Sequence, residues 1–67
     1  MDPTENLKRQ LLIANGILDN YGAAEYDYER LASDGAQLAN LILALNEWIN
    51  KGGHMPKQWK DKLVTYY

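Results

Sequence analysis

The segment from Leu31 to Ile49 constrains this chain more than any other. Placed at about 100° per residue, Leu31, Gly35, Leu38, Leu41, Ile42, Leu45, Trp48 and Ile49 share one broad apolar stripe. Ser33, Gln37, Asn40, Ala44, Glu47 and Lys51 fall opposite and form a polar back. Such a segment is an amphipathic helix that some other element must cover. Along one flank lie Ala32, Ala36, Ala39 and Leu43, so the apolar arc is wider than a single partner helix needs.

The rest of the chain supplies the cover. Asp2-Pro3-Thr4-Glu5 reads as a helix start, with Asp2 as cap, Pro3 at the first helical position and Glu5 where a capping box closes. Leu7, Leu11, Ala14, Leu18 and Tyr21 follow at three- and four-residue spacing as a core face, with Ile17 beside it and Leu12 and Ile13 outside it. Gly16 weakens the middle of this helix, and Gly22 is suited to a left-handed stop after Tyr21. Residues 23–30 read as a short connection, with Asp27 as the cap of the second helix and Asp34 with Gln37 as a competing restart. Gly52-Gly53 ends the second helix. Pro56 then opens a short third one, in which Trp59, Leu63 and Tyr66 share a face and Lys57, Lys60 and Asp61 point away. The expected fold is all-α: one domain over residues 1–67, an antiparallel helical hairpin of helices at about 3–21 and 27–51. A third short C-terminal helix at about 56–66 folds back so that Trp59 meets Trp48 and the end of the first helix.

Size sets the stability problem. With 67 residues and no cysteine, neither a disulfide nor a thiolate metal site can supplement the core. For a chain this short, burial at about 25 cal/mol per Å² roughly balances about 1.5 kcal/mol of entropy per residue. Either the helices are well idealised or dimerisation completes the core. The net charge of −2 argues for neither nucleic acid nor membrane, but its distribution is uneven. Asp19, Glu25, Asp27, Glu29 and Asp34 face a single Arg30, whereas Lys51, Lys57, Lys60 and Lys62 face Asp61. Charged residues interrupt the opening dozen, and the longest apolar run, Leu41 to Leu45, falls far short of the roughly 20 residues of a membrane span. A soluble, cytoplasmic chain is expected.

Leu45-Asn46-Glu47-Trp48-Ile49, Gly52-Gly53, Pro56 and Trp59, with the opening Met1-Asp2-Pro3 and a leucine-rich first helix, resemble a group of short helical proteins of actinobacterial phages, mycobacteriophages especially. Asn46 stands where that group has aspartate, and His54-Met55 where it has an aromatic residue and a leucine. The resemblance implies a phage or actinobacterial origin and a helical fold. It implies no activity and carries no functional residues with it.

No constellation in the chain points to catalysis, a cofactor or a metal. His54 is the only histidine and has no cysteine or second histidine to act with, so it reads as a turn residue. Lys51-Gly52-Gly53-His54 lacks the lysine and hydroxyl residue of a phosphate loop. Glu25, Asp27 and Glu29 alternate as ligands of a hard cation do, without the glycine and terminal glutamate of an EF-hand loop. With Tyr26 and Tyr28 they form instead an acidic, tyrosine-bearing patch suited to a basic partner. Lys57, Lys60 and Lys62 beside Trp59 are the alternative, a small nucleic-acid-binding or regulatory surface, which the placement of Trp59 on the apolar face disfavours. The leading expectation is a non-enzymatic interaction protein that binds a host or phage protein, or itself. Its candidate interface is Leu12 and Ile13 on the first helix with Ala32, Ala36, Ala39 and Leu43 on the second.

Overall fold

The computed structural model describes residues 1–60, and within them an antiparallel pair of α-helices leads into the start of a third. Helix α1 spans Pro3–Tyr21. The Asp2 carboxylate accepts from the Thr4 amide at 2.9 Å and the Glu5 amide at 3.2 Å, satisfying two of the donors a helix start leaves free. Pro3 loses no bond at this position and is fully buried. Helix α2 spans Tyr28–Asn50 without a break at Asp34 or Gly35. Its cap is Asp27, whose carboxylate accepts from the Arg30 amide at 3.1 Å. The competing restart is unused. Asp34 sits instead one turn beyond Arg30, 3.8 Å from its guanidinium, inside a helix that Leu31 already anchors.

The two helices meet along a seam with alternating three- and four-residue steps. On α1 it comprises Pro3, Asn6, Gln10, Ile13, Ile17 and Asn20, and on α2 Leu31, Asp34, Leu38, Leu41, Leu45 and Trp48; every one is buried or half-buried. Leu7 and Leu45 are the buried aliphatics of the core, each contributing about 2 kcal/mol. Polar residues share the same line. Asn6 is buried, its amide donates to the Leu41 carbonyl at 3.1 Å, and its oxygen accepts from Gln10 at 2.7 Å. At the other end Asn20 donates to the Asp27 carbonyl (3.2 Å) and accepts the Asp27 amide (3.1 Å), clamping the connection onto α1.

This seam corrects the expected α1 face. Leu11 and Leu18 are 52% and 67% exposed, Tyr21 is also exposed, and Ile13 moves from outside the face into the seam. The reason is that α2 follows the line of Asn6, Gln10 and Asn20: Asn6, held by Gln10, bonds across to Leu41, and Asn20 bonds to Asp27 at the start of α2, which together fix its rotation. On α2 the expected stripe holds at Leu31, Leu38, Leu41, Leu45, Trp48 and Ile49, while Gly35 and Ile42 face outward. Gly22 is also corrected. Its φ of −80° is right-handed, because the turn closes by its amide bonding to the Leu18 carbonyl at 3.0 Å.

The double glycine divides its task in two. Gly52 has φ +90°, the left-handed conformation, and its amide donates to the Ile49 carbonyl while that of Gly53 donates to the Trp48 carbonyl, so the pair closes the helix as a Schellman motif. Gly53 is needed for space: a Cβ there would overlap the Trp48 indole. The indole N–H donates to the His54 carbonyl at 3.0 Å, which turns the chain back across the hairpin. Pro56 is fully buried, and the third helix, α3, begins at residues 57–60. It docks on the start of α1, not its end, since the Lys57 amide donates to the Thr4 hydroxyl (3.1 Å) and the Gln58 side chain to the Thr4 carbonyl (3.2 Å). Trp59 does not reach Trp48. It lines a groove with Gln10, Ile42 and Ile49, whereas Trp48 lies beside Ala44 and Lys51. The remainder of the expected third helix, with Lys62, Leu63 and Tyr66, lies outside the described residues.

Gly53→Ala is expected to destabilise the fold by about 1–3 kcal/mol through overpacking against Trp48, while Gly16→Ala, at a helix position with open space around it, gains up to about 1 kcal/mol. Thermal denaturation separates them, at about 4–8 °C per kcal/mol for a chain of this size. Asn6→Ala is expected to cost about 1–2 kcal/mol by removing the interhelical bond and its Gln10 partner. Asn6→Leu is expected to keep stability but to broaden the amide spectrum in solution NMR as the register loosens.

Candidate functional site

Because the seam fixes which way each helix is turned, the remaining side chains divide between two broad faces and two edges. At about 100° per residue, Leu11 and Leu18 of α1 project to the same side as Gly35, Ala39 and Ile42 of α2. The groove lined by Gln10, Ile42, Asn46, Ile49 and Trp59 opens on that side, where α3 begins to cover it. The opposite face carries Arg9, Gly16, Arg30, Gln37 and Ala44. Between α1 and α2 the first face holds no charged residue. The acidic and basic side chains of both helices lie on the opposite face or along the outer edges: Glu5, Lys8 and Asp19 on α1, Glu29 and Glu47 on α2.

The proposed interface residues of the sequence reading are spread over this geometry. Leu12 lies on the outer edge of α1 and Leu43, with Ala32 and Ala36, on the outer edge of α2, so the two leucines point away from each other. Ile13 is in the seam, and Ala39 borders the charge-free face. Those residues therefore do not form one continuous surface on a single hairpin.

The acidic and tyrosine residues form the tip of the hairpin. Tyr21 and Tyr26 stack with ring centres 5.6 Å apart and planes 8° apart, and Tyr28 meets Tyr26 edge-on at 5.4 Å. The three rings remain exposed. Asp27 spends its carboxylate on the α2 cap, which leaves Glu25 and Glu29 as the free carboxylates of that trio. Among the described residues no group of three or more His, Asp and Glu side chains is arranged to hold a metal. Lys57 and Lys60 are exposed at the opposite end, where Lys51 pairs with Glu47 at 2.8 Å, and Lys62 lies outside the described residues. His54 belongs to the turn: its ring meets Trp48 edge-on at 5.7 Å and its carbonyl holds the indole N–H.

Asn6, Gln10 and Asn20, which orient all of this, lie outside the apolar line expected for α1. Their signal in the sequence is a three–four alternation with Ile13 and Ile17, but apolar periodicity alone does not register amides.

The fold and surface together define a small all-α helical hairpin in which, among the described residues, one broad face of the α1–α2 pair is apolar and free of charge. No family profile, curated protein or solved structure matches the chain. No helix among the described residues is long and apolar enough to cross a membrane.

His54→Ala is expected to cost no more than about 1 kcal/mol, the worth of one exposed aromatic edge contact, because the bonded carbonyl is retained. Trp48 fluorescence is expected to shift on the substitution while the denaturation midpoint moves by only a few degrees.

Proposed function

We propose that this is a non-enzymatic interaction protein, a helical hairpin that presents one broad apolar face for helix-on-helix docking with another protein or with a second copy. The observation that carries the reading is the charge-free face itself, on which Leu11, Leu18 and Ile42 stay exposed although the chain is too short to spare them. The resemblance of the segment from Leu45 to Trp59 to short proteins of actinobacterial phages supports reading it as an accessory protein that binds a phage or host partner.

A photo-crosslinking residue placed in cells at Leu18 or Ile42 is expected to give one discrete adduct. The same residue at Gln37 or Ala44, on the opposite face, is expected to give none. Equal labelling from both faces, or no adduct from either, removes the reading.

A further inference from the structure

We propose that the occupant of the charge-free face is a second copy of this chain, stacked antiparallel to form a four-helix bundle. This deepens the interaction reading and rests on it.

Three observations select this occupant. The first is area: the chain exposes 5334 Å², whereas a compact chain of its mass exposes roughly 4,300 Å². The excess, about 1,000 Å², is close to the roughly 800 Å² that each partner contributes to an interface of ordinary size. The radius of gyration agrees, at 14.2 Å against about 11 Å for 67 compact residues. The second is width. The face spans two helices packed about 8–10 Å apart, and another hairpin matches that span whereas a single helix fills only its groove.

The third is charge along the 41 Å long axis. The hairpin puts Asp19, Glu25, Asp27 and Glu29 around the connection at one end, against Arg30. At the other end stand Lys8, Arg9, Lys51, Lys57 and Lys60, against Asp2, Glu5 and Glu47. A two-fold axis in the plane of the interface, perpendicular to the helices, lays the acidic tip of each copy over the lysine end of the other. Neutral face then meets neutral face, so no charge is buried unpaired. The tyrosines at each tip reach the groove beside Trp59, where aromatic anchors contribute most to such interfaces. The parallel arrangement instead sets acid against acid and lysine against lysine.

Sedimentation equilibrium of the full chain, from micromolar to several hundred micromolar, is expected to give twice the chain mass. Leu18→Asp and Ile42→Asp, both at exposed positions, are expected to restore the monomer with unchanged helical circular dichroism, whereas Leu43→Asp on the outer edge leaves the dimer intact. Lys57→Glu with Lys60→Glu is expected to weaken association at low salt about tenfold. Adding Asp19→Lys and Glu25→Lys then recovers it. Since the chain has no cysteine, mixing Glu25→Cys with Lys60→Cys is expected to give the mixed disulfide in preference to either like pair.

A monomer at every concentration overturns the proposal, as does a dimer lost with Leu43→Asp and kept with Leu18→Asp. Predominance of the like pairs overturns the antiparallel arrangement. A monomer whose Leu18 and Ile42 methyls show nuclear Overhauser contacts to residues 61–67 would make the chain's own end the occupant, and also overturns it. A purified monomer that still gives one heterologous adduct from Leu18 in cells removes self-association and leaves docking standing. A monomer with no adduct removes both.

Discussion

The Trp48 indole lying against Gly53 decides where the chain goes after α2, and the end of the hairpin opposite its connection depends on it. With no side chain at Gly53 the ring settles on the backbone, and its N–H takes the His54 carbonyl. Gly52 supplies the left-handed step that makes the reversal possible. The following residues are thereby aimed at the start of α1, where Pro56 is buried and Thr4 receives both Lys57 and Gln58. Without that turn, Thr4 would lose both of these partners and Trp59 would not reach the groove beside Gln10 and Ile42.

At the other end the same economy is achieved with amides. Asn20 holds both backbone groups of Asp27, and Asp27 with its side chain starts α2, so one short connection is fixed by residues that serve two elements. Asn6 does comparable work near the start of α1. A buried amide bonded across a helix pair contributes less to stability than a leucine in its place, but it penalises every rotation or slip that would leave it unpaired. With so few buried aliphatics, register comes from polar bonds, and the leucines released from the seam are left on one face.

Much of the fold was legible in the sequence because end signals are local. Asp2-Pro3, Asp27 and Gly52-Gly53 mark the helix ends by the chemistry of unpaired amides and carbonyls, which needs no knowledge of the partner. The rotation of α1 was not legible in the same way. Leu7, Leu11 and Leu18 form a credible apolar line, and only the bond of Asn6 to Leu41, far away in sequence, with that of Asn20 across the connection to Asp27, shows that the seam runs beside it. The candidate interface moved for the same reason. Leu12 and Leu43 are exposed as a helical wheel indicates, yet two wheels drawn separately do not reveal that their outer edges face opposite directions in a hairpin.

What looks like poor use of leucine on α1 becomes coherent when the hairpin is treated as half of a thicker structure. A helix pair has one seam, and a single layer leaves two broad faces to water. This chain treats those faces differently, with Arg9, Arg30 and Gln37 on one and Leu11, Leu18, Gly35, Ala39 and Ile42 on the other. Chance placement would scatter some of the eight charged residues that α1 and α2 carry across both faces, because the two helices are turned by different residues. Keeping one face neutral over its length while segregating acid and lysine to opposite ends satisfies two separate conditions for stacking, absence of buried charge and attraction between ends. The asymmetry follows from the Asn6 and Asn20 bonds. By rotating α1 away from its own leucines, they give up part of the intramolecular core and create the surface through which a second layer can be added.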